Sequence, residues 1–258
     1  MIKLIATDMD GTLLNTNKEL PPDFIPWVIA HPEIKTAIAS GRQYYNLKAQ
    51  FGDAAEKLVY IAENGGIAFE GSTLLYINAM KTENVLRCLA LGDSLAGVTP
   101  ILCGAKSAYM RHASDFAEQN AHMYYKRLEF NEDLKGCAVR DDIIKVALFV
   151  DGNRAAETYE LLGELGKEIS AVVSGREWID LGSAGTNKGE ALRAIQEKYG
   201  ILPEETMGFG DYMNDYELLE QCGESYAMAN ACEGIAALAK HRTGSNDECG
   251  VMQVLRTL

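Results

Sequence analysis

The sequence lacks the features of a membrane-spanning, secreted or zinc-binding chain. No apolar run approaches the roughly 20 residues that a membrane-spanning helix needs. The N-terminal segment MIKLIATDMD lacks the successive regions of a signal peptide. The six cysteines are scattered without a C-x-x-C pair, which argues against a zinc site or a disulfide framework. These absences predict a chain with reduced thiols and a cytoplasmic location.

Basic residues are also scarce, with 24 Lys and Arg against 37 Asp and Glu. The formal net charge of −13 argues against nucleic acid or an anionic membrane surface as the partner. An acidic chain binds a small anion only where local positive groups or a metal ion offset its charge. The 258 residues, 47% of them hydrophobic, are enough for one large α/β domain or two modest ones.

Short apolar segments alternate with helical patterns in both terminal parts of the chain. The apolar segments are residues 2–7, 34–39, 58–62 and 206–210, and the helical patterns are residues 43–51, 187–200 and 214–223. Apolar runs of this length are typical of strands buried on both faces of a parallel sheet. We therefore predict an α/β fold with a doubly wound parallel sheet, whose ligand site lies at the carboxyl ends of the strands.

The middle of the chain has a different pattern. It contains a hairpin signal at Gly104-Ala105, a strong strand at 143–150 and a helical pattern at 154–168. This mixture predicts an α+β insertion with antiparallel strands between two halves of one parallel sheet. We divide the chain into residues 1–83 and 184–258, which form one unit, and an insertion of residues 84–183.

Asp8 and Asp10 lie two residues apart in DMDGT, at the end of the first predicted strand. Carboxylates this close raise each other's proton affinity, so a fold gains nothing from the pair. One interpretation is an acidic turn that closes the strand. The other is chemistry, in which one carboxylate attacks an electrophile and the other carries a proton to the leaving group and later from water. A nearby divalent cation would reduce the repulsion between them.

A second group of oxygen ligands follows the strand at 206–210. The segment GDYMND offers Asp211, Asn214 and Asp215 at the start of a helical pattern. Hard oxygens clustered at a strand end suit Mg²⁺. Helix capping explains the same residues when this segment is taken alone.

Two further segments could hold an anion. IASGR places Ser40 and Gly41 between a strand and a helix, where a hydroxyl and backbone N–H groups can bind phosphate oxygens. Lys188 stands in the first turn of its helix, where its charge opposes the helix dipole. A helix cap and a solvated surface lysine are the ordinary alternatives, and a bound phosphate explains both segments together.

With these four segments in order, the sequence resembles the haloacid dehalogenase superfamily, and specifically its Cof-type phosphatases. DMDGTLL is similar to the first motif, with Asp8 as nucleophile and Asp10 as general acid and base. SGR is similar to the second motif, with Ser40 on the transferring phosphoryl group. Lys188 matches the third motif, and GDYMND matches the fourth, with Asp211 as a metal ligand.

The resemblance implies further site residues. Mg²⁺ would be held by Asp8, by Asp211 and by the backbone carbonyl of Asp10. The residues implied for phosphate or substrate binding are Ser40, Gly41, Arg42, Asn64, Lys188 and Asn214, and the supporting residues are Gly11, Thr12 and Asp215. The family carries an α/β cap between its second and third motifs, which is where the pattern of the chain already places the insertion.

The function implied is a Mg²⁺-dependent phosphomonoester hydrolase that forms an aspartyl-phosphate and acts on sugar phosphates or other small phosphorylated metabolites. A phosphomutase of the same superfamily shares the four motifs and stays an alternative. A non-catalytic phosphate-binding or receiver-like module would also place Asp and Lys at strand ends, but it needs neither the insertion nor Asp10. A dehalogenase needs no proton donor at position 10.

The resemblance also implies that the insertion contacts the leaving group. Candidate side chains are Tyr124, Lys126, Arg127, Arg140, Arg176 and Trp178. Covering the surface of the insertion explains these side chains equally well, so the sequence assigns none of them to a substrate.

Overall fold

Two units with separate sheets make up the chain in the computed structural model, which describes residues 1–258. The core unit comprises Met1–Ile77 and Asn187–Leu258, and the inserted unit comprises Asn78–Thr186. The predicted insertion of residues 84–183 lies within the inserted unit. No helix in either unit has both the length and the apolar character needed to cross a bilayer.

Strands and helices alternate along the chain. The strands are β1 (Leu4–Asp8), β2 (Lys35–Ala39), β3 (Val59–Ala62), β4 (Ile67–Glu70), β5 (Thr73–Ile77), β6 (Val98–Gly104), β7 (Ala108–Met110), β8 (Leu128–Phe130), β9 (Ile143–Val150), β10 (Ile169–Gly175), β11 (Trp178–Ser183), β12 (Thr206–Gly210), β13 (Glu224–Ala227) and β14 (His241–Arg242). The α-helices are α1 (Phe24–Ala30), α2 (Tyr44–Lys48), α3 (Thr82–Ser94), α4 (Asp115–Tyr124), α5 (Leu134–Arg140), α6 (Ala155–Tyr159), α7 (Lys188–Tyr199), α8 (Tyr216–Glu220), α9 (Glu233–Leu238) and α10 (Gly250–Leu255). Short 3₁₀ helices cover Gly52–Ala54, Glu63–Gly65, Pro203–Glu205 and Met213–Asp215.

The core sheet has eight strands in the order β14-β13-β12-β1-β2-β3-β4-β5. All neighbours from β14 to β3 are parallel, whereas β3–β4 and β4–β5 are antiparallel. Every residue of β1, β3 and β12 is buried, as the apolar runs predict for central parallel strands. The antiparallel edge formed by β4 and β5 is an addition that the sequence analysis did not predict.

Helices pack on both faces of the core sheet. Leu4 and Ala6 of β1 share a cluster with Leu192 of α7 and Leu218 of α8 on one face. On the other face, the ring of Tyr60 contacts Tyr44 of α2 as well as Phe51, and Phe51 contacts Phe24 of α1. Successive strand residues point to opposite faces, so a strand buried on both sides is apolar throughout. The predicted doubly wound α/β fold is confirmed.

Helix α7 has both of the terminal signals that the sequence contains. The side chain of Asn187 accepts a hydrogen bond from the backbone N–H of Glu190 at 2.9 Å, which caps the N-terminus. Gly200 ends the helix in a left-handed conformation with φ 63°. The predicted helix at 187–200 is therefore confirmed, and its cap places Lys188 at the first helical position.

The inserted unit has a six-stranded sheet in the order β10-β11-β9-β6-β7-β8. All neighbours are antiparallel except β7 and β8. The predicted strand at 143–150 is confirmed as β9. The predicted helix at 154–168 is wrong in length, because α6 ends at Tyr159. Gly163 and Gly166 adopt φ values of 65° and 83°, which the right-handed helix excludes.

Candidate active site

The predicted site residues follow neighbouring strands of the core sheet. Asp8 is the last residue of β1, Ser40 follows β2, and Asp211 follows β12. Strand β1 pairs in parallel with both β2 and β12, and Asp8 lies opposite Ala39. Parallel neighbours end at the same edge of a sheet, so these three residues are brought to one edge although they are far apart in sequence.

Lys188 connects two carboxylates at this edge. Its fully buried Nζ donates to Oδ1 of Asp8 at 2.5 Å and to Oδ1 of Asp215 at 2.6 Å. The other oxygen of Asp215 accepts hydrogen bonds from the backbone N–H groups of Asp211 at 3.0 Å and Tyr212 at 3.3 Å. Asp215 thus contacts both Lys188 and the loop that carries Asp211, and its supporting role stays a prediction.

The cluster carries more negative than positive charge. Carboxylate oxygens of Asp8, Asp211 and Asp215 all lie within 4.8 Å of one another, and Lys188 is the cation in contact with two of them. With every group ionised, three negative charges meet one positive charge. The excess of two negative charges equals in size the charge of one divalent cation. Carboxylate oxygens are also the donors that Mg²⁺ prefers, so this group of side chains fits such a cation.

Burial and neighbouring charges perturb these groups. Burial raises the pKa of Asp8 to about 8; the carboxylate of Asp215 adds to the shift, and the ammonium of Lys188 opposes it. Burial and the carboxylate of Asp215 also raise the pKa of Asp211, while a hydrogen bond from Thr12 opposes them. Burial alone would lower the pKa of Lys188, but Asp8 and Asp215 raise it further, so the lysine stays charged. Perturbed groups of this kind cluster at functional sites.

Hydrogen bonding distinguishes the carboxylates that suit a metal ion. Asp8 uses Oδ1 for Lys188, and Asp211 uses Oδ1 to accept a 3.0 Å hydrogen bond from the hydroxyl of Thr12. One oxygen of each is thereby oriented, which leaves the second for a cation. Asp215 uses both oxygens within the protein. Asp8 and Asp211 are therefore the side chains that fit a metal. Their role as metal ligands stays a prediction, as does that of the backbone carbonyl of Asp10.

Asp10 is held by two cations. Arg42 donates from Nε to Oδ2 at 2.9 Å and from Nη2 to Oδ1 at 2.6 Å, and Nζ of Lys18 donates to Oδ1 at 2.9 Å. Burial alone would raise the pKa of Asp10, but these hydrogen bonds and charges outweigh it and hold the pKa below its ordinary value. Sequence reasoning missed Lys18, whose surrounding loop contains no motif that would have indicated it.

Five of the six predicted phosphate-binding residues, all except Lys188, are linked by contacts with one another. Ser40 is buried, and its hydroxyl oxygen accepts from the backbone N–H of Arg42 at 3.2 Å. The backbone N–H of Asn64 donates to the carbonyl of Ser40 at 3.0 Å, and Asn214 donates to the side-chain oxygen of Asn64 at 3.3 Å. A Cβ on Gly41 would lie 3.0 Å from the amide of Asn64, so the absence of a side chain there permits this close packing.

The loop after Asp10 is tied to late segments of the chain. Gly11 has φ 85°, and a Cβ there would overlap the carboxylate of Asp211. Asn230 donates to the carbonyl of Gly11 at 2.8 Å, and the side-chain oxygen of Asn230 accepts from the backbone N–H of Asn246 at 3.1 Å. The sequence analysis did not identify Asn230 or Asn246. Their polar character alone was no signal, because the contact of Asn230 with Gly11 joins segments 219 residues apart.

Comparisons with known proteins give one consistent family. The profile of the haloacid dehalogenase-like hydrolases matches residues 5–255. A relative from Escherichia coli strain K12, 5-amino-6-(5-phospho-D-ribitylamino)uracil phosphatase YbjI, is 33% identical over 98% of this chain and 95% of its own length. A Bacillus subtilis relative with the same named activity, YcsE, is 26% identical over 99% of this chain and 95% of its own. The crystal structure of TM0651 from Thermotoga maritima has the same fold, with a TM-score of 0.88 at 23% identity over 100% of this chain and 98% of its own.

Proposed function

The chain belongs to the haloacid dehalogenase-like hydrolases and is a phosphatase of that family, and from this premise we propose a mechanism and a substrate class. The enzyme hydrolyses phosphomonoesters of small metabolites with Mg²⁺, through a phosphorylated Asp8. The observation that carries the proposal is the buried cluster of Asp8, Lys188 and Asp215 beside Asp211. Such a cluster costs the fold energy, because it buries like charges, and it is useful to an enzyme that binds a phosphate dianion and a divalent cation.

In the first step, an oxygen of Asp8 attacks phosphorus and the bond from phosphorus to the ester oxygen breaks. Lys188 holds the attacking carboxylate in place through its 2.5 Å hydrogen bond and offsets negative charge on the phosphoryl oxygens. The hydroxyl of Ser40 and the backbone beside Gly41 bind those oxygens. Asp8 and Asp211 would hold a divalent cation, which would supply further positive charge against the phosphate.

Asp10 serves as the proton carrier. It donates a proton to the departing alkoxide, and as a carboxylate it then takes a proton from the water that attacks phosphorus and releases Asp8. Without substrate, Arg42 and Lys18 keep Asp10 ionised. A phosphate dianion offers Arg42 a competing partner and places negative charge near Asp10. Both effects raise the pKa of Asp10, so substrate binding itself prepares the acid.

The substrate is a phosphorylated small molecule. A chain with a formal net charge of −13 repels polyanions such as nucleic acid, whereas Lys188 and Arg42 offer local positive charge to a single phosphate. Two relatives are named for a compound whose phosphate sits on a ribityl chain. We therefore place the substrate among phosphate monoesters of sugars or polyols, with or without an attached ring.

The test is release of inorganic phosphate from a panel of such esters, with Mg²⁺ and with EDTA. We expect Mg²⁺-dependent release that falls by about four orders of magnitude or more in Asp8→Asn, because the nucleophile is lost. Asp53→Asn, which alters an exposed aspartate of the same unit, is the matched control and keeps full activity. Acid quenching of the wild type in labelled substrate traps label on the protein, and Asp8→Asn traps none.

Phosphate release that survives in Asp8→Asn would contradict the proposal that Asp8 is the nucleophile. Phosphate release that is insensitive to EDTA would contradict the proposed requirement for a metal ion. Phosphate returned to a second position of the same sugar, in place of free phosphate, would indicate a mutase.

A further inference from the structure

The inserted unit contains a cavity between the C-terminal end of α5 and the edge of the sheet formed by β7 and β8. Its volume is about 470 Å³, which is typical of a small-molecule site. Tyr109 of β7, which lines it, packs on the face of the sheet that α3 and α5 cover. The residues that line the cavity all belong to the inserted unit, and they include Lys106, Tyr109, Arg127, Leu128, Glu129 and Arg140.

Positive charge predominates in this cavity. The cationic side chains of Lys106, Arg127 and Arg140 line it together with the single carboxylate of Glu129. The chain as a whole has the opposite character, with a formal net charge of −13. Cations that share a cavity repel one another, so their association is unfavourable unless an anion offsets it. The excess of two positive charges matches a phosphate dianion, whereas a monocarboxylate would offset only one of them.

Lys106 is held by the turn between β6 and β7. The buried carboxylate of Asp141, which does not line the cavity, accepts hydrogen bonds from the backbone N–H of Lys106 at 3.0 Å and from the hydroxyl of Tyr109 at 2.9 Å. A Cβ on Gly104 would lie 2.2 Å from this carboxylate, so the turn approaches it only with glycine at that position. Nζ of Lys106 donates to the backbone carbonyl of Arg140 at 2.7 Å. The turn and the last residue of α5 are thereby joined, which fixes two of the cations relative to each other.

Arg140 is oriented by an aromatic ring and by a carboxylate. Its Cζ lies 5.2 Å from the centroid of the Tyr109 ring, and its guanidinium pairs with Glu129, which is opposite Tyr109 in the register of β7 and β8. The side chains of this ion pair are 50% and 46% exposed, so the pair adds little to stability and is exchanged at low cost. A guanidinium binds phosphate through two parallel N–H···O bonds, which makes an oriented arginine well suited to a phosphate ligand.

We propose that this cavity, called the anion cavity below, binds a small molecule that carries a phosphate group. The ligand is an additional molecule and is no part of the phosphatase substrate. Its phosphate dianion replaces Glu129 at Arg140 and attracts the two other cations, and its organic part contacts Leu128 and the ring of Tyr109. The organic part follows from the volume, which is larger than a phosphate ion requires. The proposal does not depend on the proposed function, because no residue of the catalytic cluster takes part.

The first test observes the arginine side chains directly. Carbon-detected NMR records the Nε–Cζ correlations of isotope-labelled arginine in EDTA at pH 8, while phenylphosphonate, inorganic phosphate or acetate is added at constant ionic strength. The Arg140 signal is assigned from its loss in Arg140→Gln. We expect saturable shifts of this signal, with a Kd for phenylphosphonate about threefold below that of phosphate, because its ring adds apolar contact. Acetate should bind at least about tenfold more weakly, because it lacks the second charge.

Substitutions of Lys106 and Glu129 should act in opposite directions on the Kd read from the Arg140 signal. Lys106→Gln removes one cation, and we expect phenylphosphonate to bind about tenfold more weakly, the typical effect of losing a hydrogen bond to a charged group. Glu129→Gln removes the competing carboxylate, and we expect about threefold tighter binding. The matched control is Lys135→Gln, which alters an exposed lysine of α5 outside the cavity and leaves the Kd unchanged. Thermal unfolding checks that each variant is folded.

The Arg42 signal reports on the core unit in the same spectra. An Arg140 signal that does not move, with or without a shift of the Arg42 signal, overturns the anion cavity. A Kd that is unchanged in both Lys106→Gln and Glu129→Gln does the same.

Two further outcomes concern the chemistry of the ligand. Equal Kd values for acetate and phosphate overturn the choice of phosphate, and equal Kd values for phosphate and phenylphosphonate overturn the organic part in favour of the free ion. A saturable shift of the Arg140 signal in a protein that releases phosphate from no ester overturns the proposed catalysis and leaves the anion cavity standing.

Discussion

The core unit and the inserted unit place charged side chains in opposite ways. In the core unit, Asp8, Lys188 and Asp215 are 0% to 7% exposed and come from segments up to 207 residues apart. In the inserted unit, pairs such as Arg111–Asp93 are about one-third exposed or more. Burial of several charges is costly, so a fold retains it where the charges act on a ligand. The comparison therefore supports the core cluster as the place of the proposed chemistry.

Lys145 and Asp180 are the exception within the inserted unit. Their exposure lies between that of the core cluster and that of the other pairs in this unit. The contrast between buried and exposed charges has consequences that substitutions in the two units can test.

Loss of the proton carrier in the core unit should depend on the leaving group. Asp10→Asn is expected to lower kcat for an alkyl phosphate by about 10² to 10⁴, because a poor leaving group needs a proton. For p-nitrophenyl phosphate, the rate of nitrophenolate release should decrease much less, since nitrophenolate leaves without protonation. Single-turnover kinetics on both substrates measures this difference. An equal decrease for both would argue that Asp10 has another role.

Lys188 and Lys81 contrast a buried lysine with an exposed one. Lys188→Met should lower kcat/KM by roughly 10² and the free energy of unfolding by about 3 kcal/mol, because it leaves Asp8 and Asp215 together without their cation. Lys81→Met breaks a pair in solvent and should leave both activity and the unfolding temperature unchanged. Denaturant unfolding and steady-state kinetics provide the two measurements. Similar free energies of unfolding for the two variants would contradict the contrast drawn between the buried and the exposed lysine.

Mg²⁺ binding should depend on pH in a direction that the buried cluster determines. The raised pKa of Asp8 means that protons compete with the cation below about pH 8. The apparent Kd for Mg²⁺ should therefore rise as pH falls, by up to about tenfold per pH unit, with proton release on binding. Calorimetry in two buffers of different ionisation enthalpy measures both. In Asp8→Asn, the affinity for Mg²⁺ should be weaker and should depend less on pH. An unchanged pH dependence of the apparent Kd would mean that a group other than Asp8 titrates.

Local sequence patterns were sufficient for the central parallel strands of the core unit, but they did not predict its edge strands β4, β5, β13 and β14. Buried parallel strands have no solvent face, so β1, β3 and β12 appear as apolar runs that need no knowledge of their neighbours. Helix α7 carries its own N-cap and its own terminal glycine. The prediction of a helix at 154–168 was too long, because α6 ends at Tyr159 and the left-handed backbone at Gly163 and Gly166 excludes a helix through those positions. Periodicity reports side-chain burial and says little about backbone conformation at glycine.

The candidate site was predictable to the extent that topology decides it. Asp8, Ser40 and Asp211 follow strands that end at one edge of a parallel sheet, so their proximity follows from the strand pattern. The partners of Asp10 were not predictable in the same way. Lys18 lies in a loop without a motif, and its contact with Asp10 depends on the path of that loop in three dimensions.

The sequence by itself determined the class of the fold and the chemical groups that follow the strand ends, because apolar runs and the alternation of strands with helices are local features of the chain. The tertiary structure alone decided which charge each group meets. It paired Lys188 with both Asp8 and Asp215 and placed Arg42 on Asp10. These pairings depend on distances of a few ångströms between distant segments, since both the energy of buried charges and the shape of a binding surface change steeply over that range.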